Sequence, residues 1–231
     1  MNKTLLKLIL MAILGSAASA QIVNVNNSST PSGSGYFGYS QSATYGQTFT
    51  APQDVLDDWT FYLANYDFPL FHGSSAQNFE FFVMGWNGAE ATGPVLYQSG
   101  LQTITASETS YTAFTVNPNL PLTLGGSYVM FINESGLNVG INGYIEAGLN
   151  ANTPLGGSFV YLNNGDNFSQ VTSQTWLDLG AHSMAYNADF SVAVPEPASI
   201  VLVGVGLLGV FTMIRRRKAA ECLLAFPKKK Q

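Results

Sequence analysis

All nine lysines and arginines of this chain sit in two short terminal segments: Lys3 and Lys7, then Arg215, Arg216, Arg217, Lys218, Lys228, Lys229 and Lys230. The stretch between them, from Gln21 to Val194, is about 174 residues long and contains neither residue type. It holds twelve acids and no Lys or Arg, a formal charge of −12, whereas the whole chain carries −5. Whatever this stretch folds into is built without a single Lys or Arg ion pair. Its carboxylates must be solvated, protonated, hydrogen-bonded or metal-bound.

That asymmetry excludes several partners. A surface without cations cannot neutralise phosphates, which rules out nucleic acid. Phosphorylated and sulfated ligands fit poorly for the same reason, because no guanidinium fork is available to hold them. The single cysteine, Cys222, lies outside the stretch, so no disulfide staples it. Its length suits one domain with a sizeable core, and that core must supply the stability.

The two basic segments read as targeting signals. Lys3 and Lys7 flank the start of an apolar stretch, Leu5 to Leu14, followed by small residues through Ala20. Ala18-Ser19-Ala20 fits the small-x-small rule of a signal peptidase, so residues 1–20 are expected to be removed after Sec export, leaving Gln21 first. About ten apolar residues cannot span roughly 30 Å of hydrocarbon, which argues against an N-terminal anchor. Near the other end, Ala198 to Ile214 is apolar and uncharged over 17 residues. As a helix it would be roughly 25 Å long, the short limit for a membrane span. Arg215, Arg216, Arg217 and Lys218 follow directly and would stop transfer on the cytoplasmic side. Gly204, Gly206 and Gly209 suit a membrane helix better than a soluble one. The expectation is one transmembrane helix over 198–214, with residues 219–231 as a cytoplasmic tail.

Between the signals the pattern is β. Gly46–Thr50, Trp59–Leu63, Asn78–Met84, Val95–Gln98, Tyr111–Val116, Tyr128–Ile132, Gly140–Ile145, Phe159–Leu162 and Ala185–Val192 are short aromatic and β-branched runs. Gly, Pro and Asn punctuate them, and no stretch shows a 3.6-residue apolar period of helical length. Eight or nine short strands predict an all-β domain over 21–194, an antiparallel β-sandwich or jelly roll. Gln21 to Gly38 is rich in Asn, Ser and Gly and reads as a loose leader or edge strand followed by a loop. Asp54 to Asp58 reads as a turn.

Val194-Pro195-Glu196-Pro197-Ala198-Ser199, then the apolar run to Ile214, then Arg215-Arg216-Arg217, resembles the PEP-CTERM sorting signal. The likeness covers about 24 residues and has all three parts in order. It implies recognition at Pro195, Glu196 and Pro197 by an exosortase, a membrane cysteine protease-transpeptidase of Gram-negative bacteria. It further implies transient anchoring in the inner membrane, delivery to the envelope or beyond, and association with exopolysaccharide and biofilm systems. Thirteen residues follow Lys218, where such signals usually stop soon after the arginines. The segments Gly46–Pro52, Val83–Gly88, Ala91–Tyr97 and Tyr128–Phe131 are similar to the β-rich ectodomains often joined to this signal, a resemblance that implies no activity.

His72 and His182 are the two histidines, and neither sits in a zinc-ligand spacing. No Gly-x-Ser-x-Gly elbow marks a nucleophile. Asp57 and Asp58 are adjacent and would face opposite sides of a strand, which does not suit paired glycosidase acids. Asn163-Asn164-Gly165-Asp166-Asn167 offers oxygen ligands of the kind calcium takes, with Asn163 and Asp166 as the candidates, although the same residues also make an ordinary hairpin turn. Trp86, beside Asn87 and Gly88 at a strand end, could stack on a sugar or simply pack at the sandwich rim. The expectation is therefore a non-enzymatic structural or biofilm-associated protein without a required cofactor. A carbohydrate-binding module for exopolysaccharide is the first alternative and a secreted hydrolase the second.

Overall fold

A computed structural model describes residues 21–28, 33–38, 42–66, 75–105, 110–138, 143–151, 153–180 and 182–193. The chain pattern of residues 20–193 closes on itself as one unit. The strands, in chain order, are β1 (Ile22–Asn27), β2 (Gly33–Phe37), β3 (Thr44–Thr50), β4 (Val55–Tyr66), β5 (Gln77–Trp86) and β6 (Ala91–Gln98). They continue with β7 (Gln102–Ile104), β8 (Thr112–Val116), β9 (Leu120–Pro121), β10 (Ser127–Asn133) and β11 (Tyr144–Asn150). The last four are β12 (Phe159–Leu162), β13 (Leu177–Asp178), β14 (Ser183–Met184) and β15 (Tyr186–Ser191). Two short 3-10 turns, Pro154–Gly156 and Phe168–Thr172, are the helical segments among the described residues.

Every strand pair in the register is antiparallel, and the strands form two sheets. In the first sheet the long β4 carries β15 and β11 along one edge and β9 and β8 along the other. β1 extends this sheet from β15, and β2 extends it from β11. The second sheet runs β13-β12-β3-β10-β5-β6, with β7 also on β5.

The main core lies between the two sheets. Trp59, Phe61 and Leu63 of β4 and Tyr186, Ala188 and Phe190 of β15 meet Phe49, Phe79, Phe81, Met130 and Ile132 of the second sheet. Phe61 stacks on Phe81 at 5.7 Å, and Phe49 meets Trp59 at 5.0 Å. A second apolar layer covers the outer face of the second sheet. There Phe82, Met84, Val129, Phe131, Val160 and Leu162 are covered by Val171, Phe168 and Trp176 from the segment after β12. This double burial explains why β5 and β10 read as continuous apolar runs: both of their faces are covered. Trp176 lies across β3, where a Cβ on Gly46 would be 3.1 Å from its ring and 3.0 Å from Phe131. A larger residue would force Phe131, Val129 or Trp176 to give by a few tenths of an ångström, and glycine avoids that.

Several sequence expectations are corrected here. The expected turn over Asp54–Asp58 is mostly strand, because β4 starts at Val55. Its register with β15 slips by one between Asp189 and Phe190, so Asp57 is the extra residue of a β-bulge. Leu56 and Trp59 are three residues apart and would face opposite sides of a regular strand; the bulge lets both be fully buried. The expected loop after Pro31 contains β2; of the expected strand over Gly140–Ile145, residues 140–142 lie outside the described residues, and from Tyr144 the strand runs on to Asn150. β1 is the edge strand foreseen as one reading of the leader, with Val23 and Val25 packed on the core. No helix among the described residues is long and apolar enough to cross a membrane. The predicted span over 198–214 lies outside them.

Candidate functional site

Register places the two ends of the domain side by side. Ile22 at the start of β1 faces Ser191 at the end of β15. Gln21, the expected first mature residue, is exposed immediately before β1. Ala193 is exposed two residues after β15, its N–H bonded to an Asp54 carboxylate oxygen at 2.8 Å. Ala18 and Ala20, the motif residues Pro195, Glu196 and Pro197, and Arg215, Arg216, Arg217 and Lys218 lie outside the described residues.

The oxygen-rich turn after β12 is tied to its surroundings. The Asn163 side chain accepts a hydrogen bond from Ser42, and Asp166 accepts one from the Gly136 N–H. Between them, Asn164 is buried and satisfied: Thr44 Oγ1 donates to its Oδ1 at 2.8 Å, and its Nδ2 donates to Ser135 Oγ and the Asn167 carbonyl, both at 3.1 Å. Asn133 Nδ2 donates to Thr44 Oγ1 at 2.6 Å and completes the network. The turn thereby clamps the chain leaving β10.

Trp86 ends β5 half-buried, its ring edge-on to Trp176 at 5.6 Å and 81°. It forms the margin of the outer apolar layer. His182 is exposed, its Nδ1 3.2 Å from the Leu179 carbonyl; His72 lies outside the described residues. Asp58 faces Asp189 across β4 and β15. Burial, and then the Asp189 and Asp57 charges, push the Asp58 carboxyl above the usual carboxylate range. No cluster of three His, Cys, Asp or Glu side chains suited to a metal occurs among the described residues.

The most unusual polar group is one the sequence did not single out. Glu134, the residue after β10, is completely buried. Its Oε2 accepts from Asn138 Nδ2 at 2.7 Å, while its Oε1 has no hydrogen-bond partner. Burial pushes its carboxyl up to about 8, against the smaller opposing pull of the Asn138 amide. Asn138 is locked in turn, accepting from the Asn78 N–H at 2.9 Å and donating to the Asn78 carbonyl at 2.8 Å. In the sequence Glu134 looks like any acid at a strand end. Two positions after inward-facing Ile132 was the available signal, since alternation carries residue 134 into the same face.

Comparison with known proteins bears on the C-terminal segment. Residues 193–218 match the family described as the PEP-CTERM protein-sorting motif. The chain carries a PEP-CTERM sorting motif. That motif marks exported proteins processed at the membrane by an exosortase in Gram-negative bacteria. No curated protein matches the chain. Among solved structures, one that aligns holds the cysteine protease and lectin-like domains of Cwp84, a surface-layer-associated protein of Clostridium difficile. The two share 10% identity, with a TM-score of 0.41, over 69% of this chain and 36% of that one. This chain thus spans about a third of that chain's length, and at this score the likeness carries neither fold nor activity across.

Proposed function

We propose that this protein is a non-enzymatic structural component of the cell envelope or extracellular matrix. Signal peptidase removes residues 1–20 after Sec export. The helix over 198–214 then holds the chain in the inner membrane until an exosortase acts at Pro195, Glu196 and Pro197. The observation that carries this reading is the sorting motif at 193–218, which begins two residues after the last core strand ends. The cargo supports it. An acidic β-domain without cysteines needs no oxidative maturation, and its like charge keeps it soluble and dispersed outside the cell. Its setting is an extracellular polysaccharide matrix, where a robust all-β module serves as a building element.

The test is to change Pro195, Glu196 and Pro197 together to alanine and follow the protein by cell fractionation. The variant is expected to accumulate uncleaved in the inner-membrane fraction, while the parent is processed and leaves it. Identical processing and release of both would refute exosortase recognition. A glycan array probed with the released protein separates a purely structural role from exopolysaccharide binding: a saccharide-specific signal lost in Trp86→Ala would replace the structural reading.

A further inference from the structure

One end of the space between the sheets is polar, although the rest of that space is apolar. Along β4 the inward positions run Trp59, Phe61, Leu63 and then Asn65. Along β5 they run Val83, Phe81, Phe79 and then Gln77, and along β10 Met130, Ile132 and then Glu134. Each series thus ends in an oxygen-bearing side chain where an apolar one would continue the pattern. All three are buried: Gln77 and Glu134 at 0% exposure and Asn65 at 2%.

Hydrogen bonds draw the three together. Asn65 Nδ2 and Gln77 Nε2 both donate to the Ser75 carbonyl, each at 3.1 Å. Glu134 is bound through Asn138 to both backbone groups of Asn78, the neighbour of Gln77. On the sheet, Glu134 continues the register opposite Phe79, one inward position from Gln77, which is within reach for long side chains.

What these bonds leave over is one-sided. The amide nitrogens are spent on Ser75, while Asn65 Oδ1, Gln77 Oε1 and Glu134 Oε1 have no hydrogen-bond partner among the described residues. Half of the six buried side-chain atoms in that condition lie at this end. All three can accept, one of them belongs to an ionisable carboxyl, and residues 21–194 contain no Lys or Arg to answer its charge once it ionises. Hard cations are held by such a set: a carboxylate oxygen with amide carbonyl oxygens and water completing the shell.

We propose that Asn65, Gln77 and Glu134 form a calcium site that closes this end of the sandwich. The cation joins β4 of the first sheet to β5 and β10 of the second. The strongly acidic domain raises the local calcium concentration without supplying the ligands.

The test uses the purified full chain, with calcium alone as probe. Thermal unfolding is compared in calcium chloride, in magnesium chloride and in chelator, and calorimetric titration counts the sites. Calcium at one hundred times its dissociation constant raises the folded-to-unfolded ratio about 100-fold, which moves Tm up by roughly 5–10 °C for a domain of this size. Glu134→Gln keeps the shape and removes the charge, and should abolish both the shift and the binding heat; Asp166→Asn should retain both. Asn65→Asp adds a carboxylate to the same set and should tighten binding, so the proposal does not depend on the Glu134 variant folding. Equal Tm in calcium and chelator for the parent, with no binding heat, would overturn it and assign the three oxygens to buried water. A response unchanged in Glu134→Gln, or lost in Asp166→Asn alone, would overturn it as well.

Discussion

Replacing Trp176 with alanine tests whether the outer apolar layer belongs to the same cooperative core as the space between the sheets. Trp176 is 4% exposed and lies edge-on to Phe131 at 5.3 Å and to Trp86 at 5.6 Å. Its indole N–H donates to the Val171 carbonyl at 2.9 Å, fastening the segment it ends. Truncating a buried tryptophan to alanine costs about 3–5 kcal/mol, and an orphaned carbonyl adds about 1 kcal/mol. A total near 5 kcal/mol lowers Tm by roughly 10–20 °C for a domain of this length. Urea denaturation followed by the fluorescence of the remaining tryptophans, Trp59 and Trp86, reads the effect directly. Those two report from different layers, Trp59 between the sheets and Trp86 outside them. The expected result is one transition at lower urea, with its slope unchanged. A loss below about 1 kcal/mol, or a Trp86 signal that moves while the main transition stays, would show that the outer layer peels away independently. The double-layer account of β5 and β10 would then be wrong.

Two further outcomes follow from the acids. In chelator, the Glu134 carboxyl holds its proton up to about pH 8 in the fold, whereas its ordinary value is 4.5. The folded state therefore binds the extra proton between those values, and stability falls as pH rises from about 4.5 to about 8, then levels. The loss is roughly 4–5 kcal/mol at most, and Glu134→Gln should flatten that window in urea titrations at stepped pH; an identical slope in both proteins contradicts the burial argument. Asp58 faces Asp189 with its carboxyl pushed up by burial and like charge, so Asp58→Asn should stabilise the neutral-pH protein by roughly 0.2–1 kcal/mol and give no gain near pH 3. A destabilised variant at pH 7 would show that the pair is held by something other than repulsive neighbours.

The strands that could be read in the sequence were those whose local pattern agrees with their environment. β12 was delimited residue for residue, and β8, β10 and β15 to within a residue at each end, because apolar runs there are bounded by Gly, Pro or Asn. β2 was not legible: Gly33-Ser34-Gly35 carries no strand propensity, and its pairing with β11 is what makes it a strand. The bulge at Asp57 was invisible for a related reason. It exists to bring both Leu56 and Trp59 inward against β15, and that is a fact about the partner strand.

The candidate sites divide along the same line. The sorting motif is read from the chain as a linear object, three parts in order, and needs no fold to be recognised; residues 193–218 match it as sequence. The absence of Lys and Arg from residues 21–194 is equally a property of the sequence, and with it the exclusion of nucleic acid and of Lys or Arg ion pairs. The oxygen cluster depended on tertiary structure. Asn65, Gln77 and Glu134 are separated by 12 and 57 positions in the chain. Three strands from two sheets end their inward rows in these residues, and burial there removes the water that would otherwise satisfy them. Sequence determined the acidity of this protein and its sorting motif; packing alone determined which acid is kept from water.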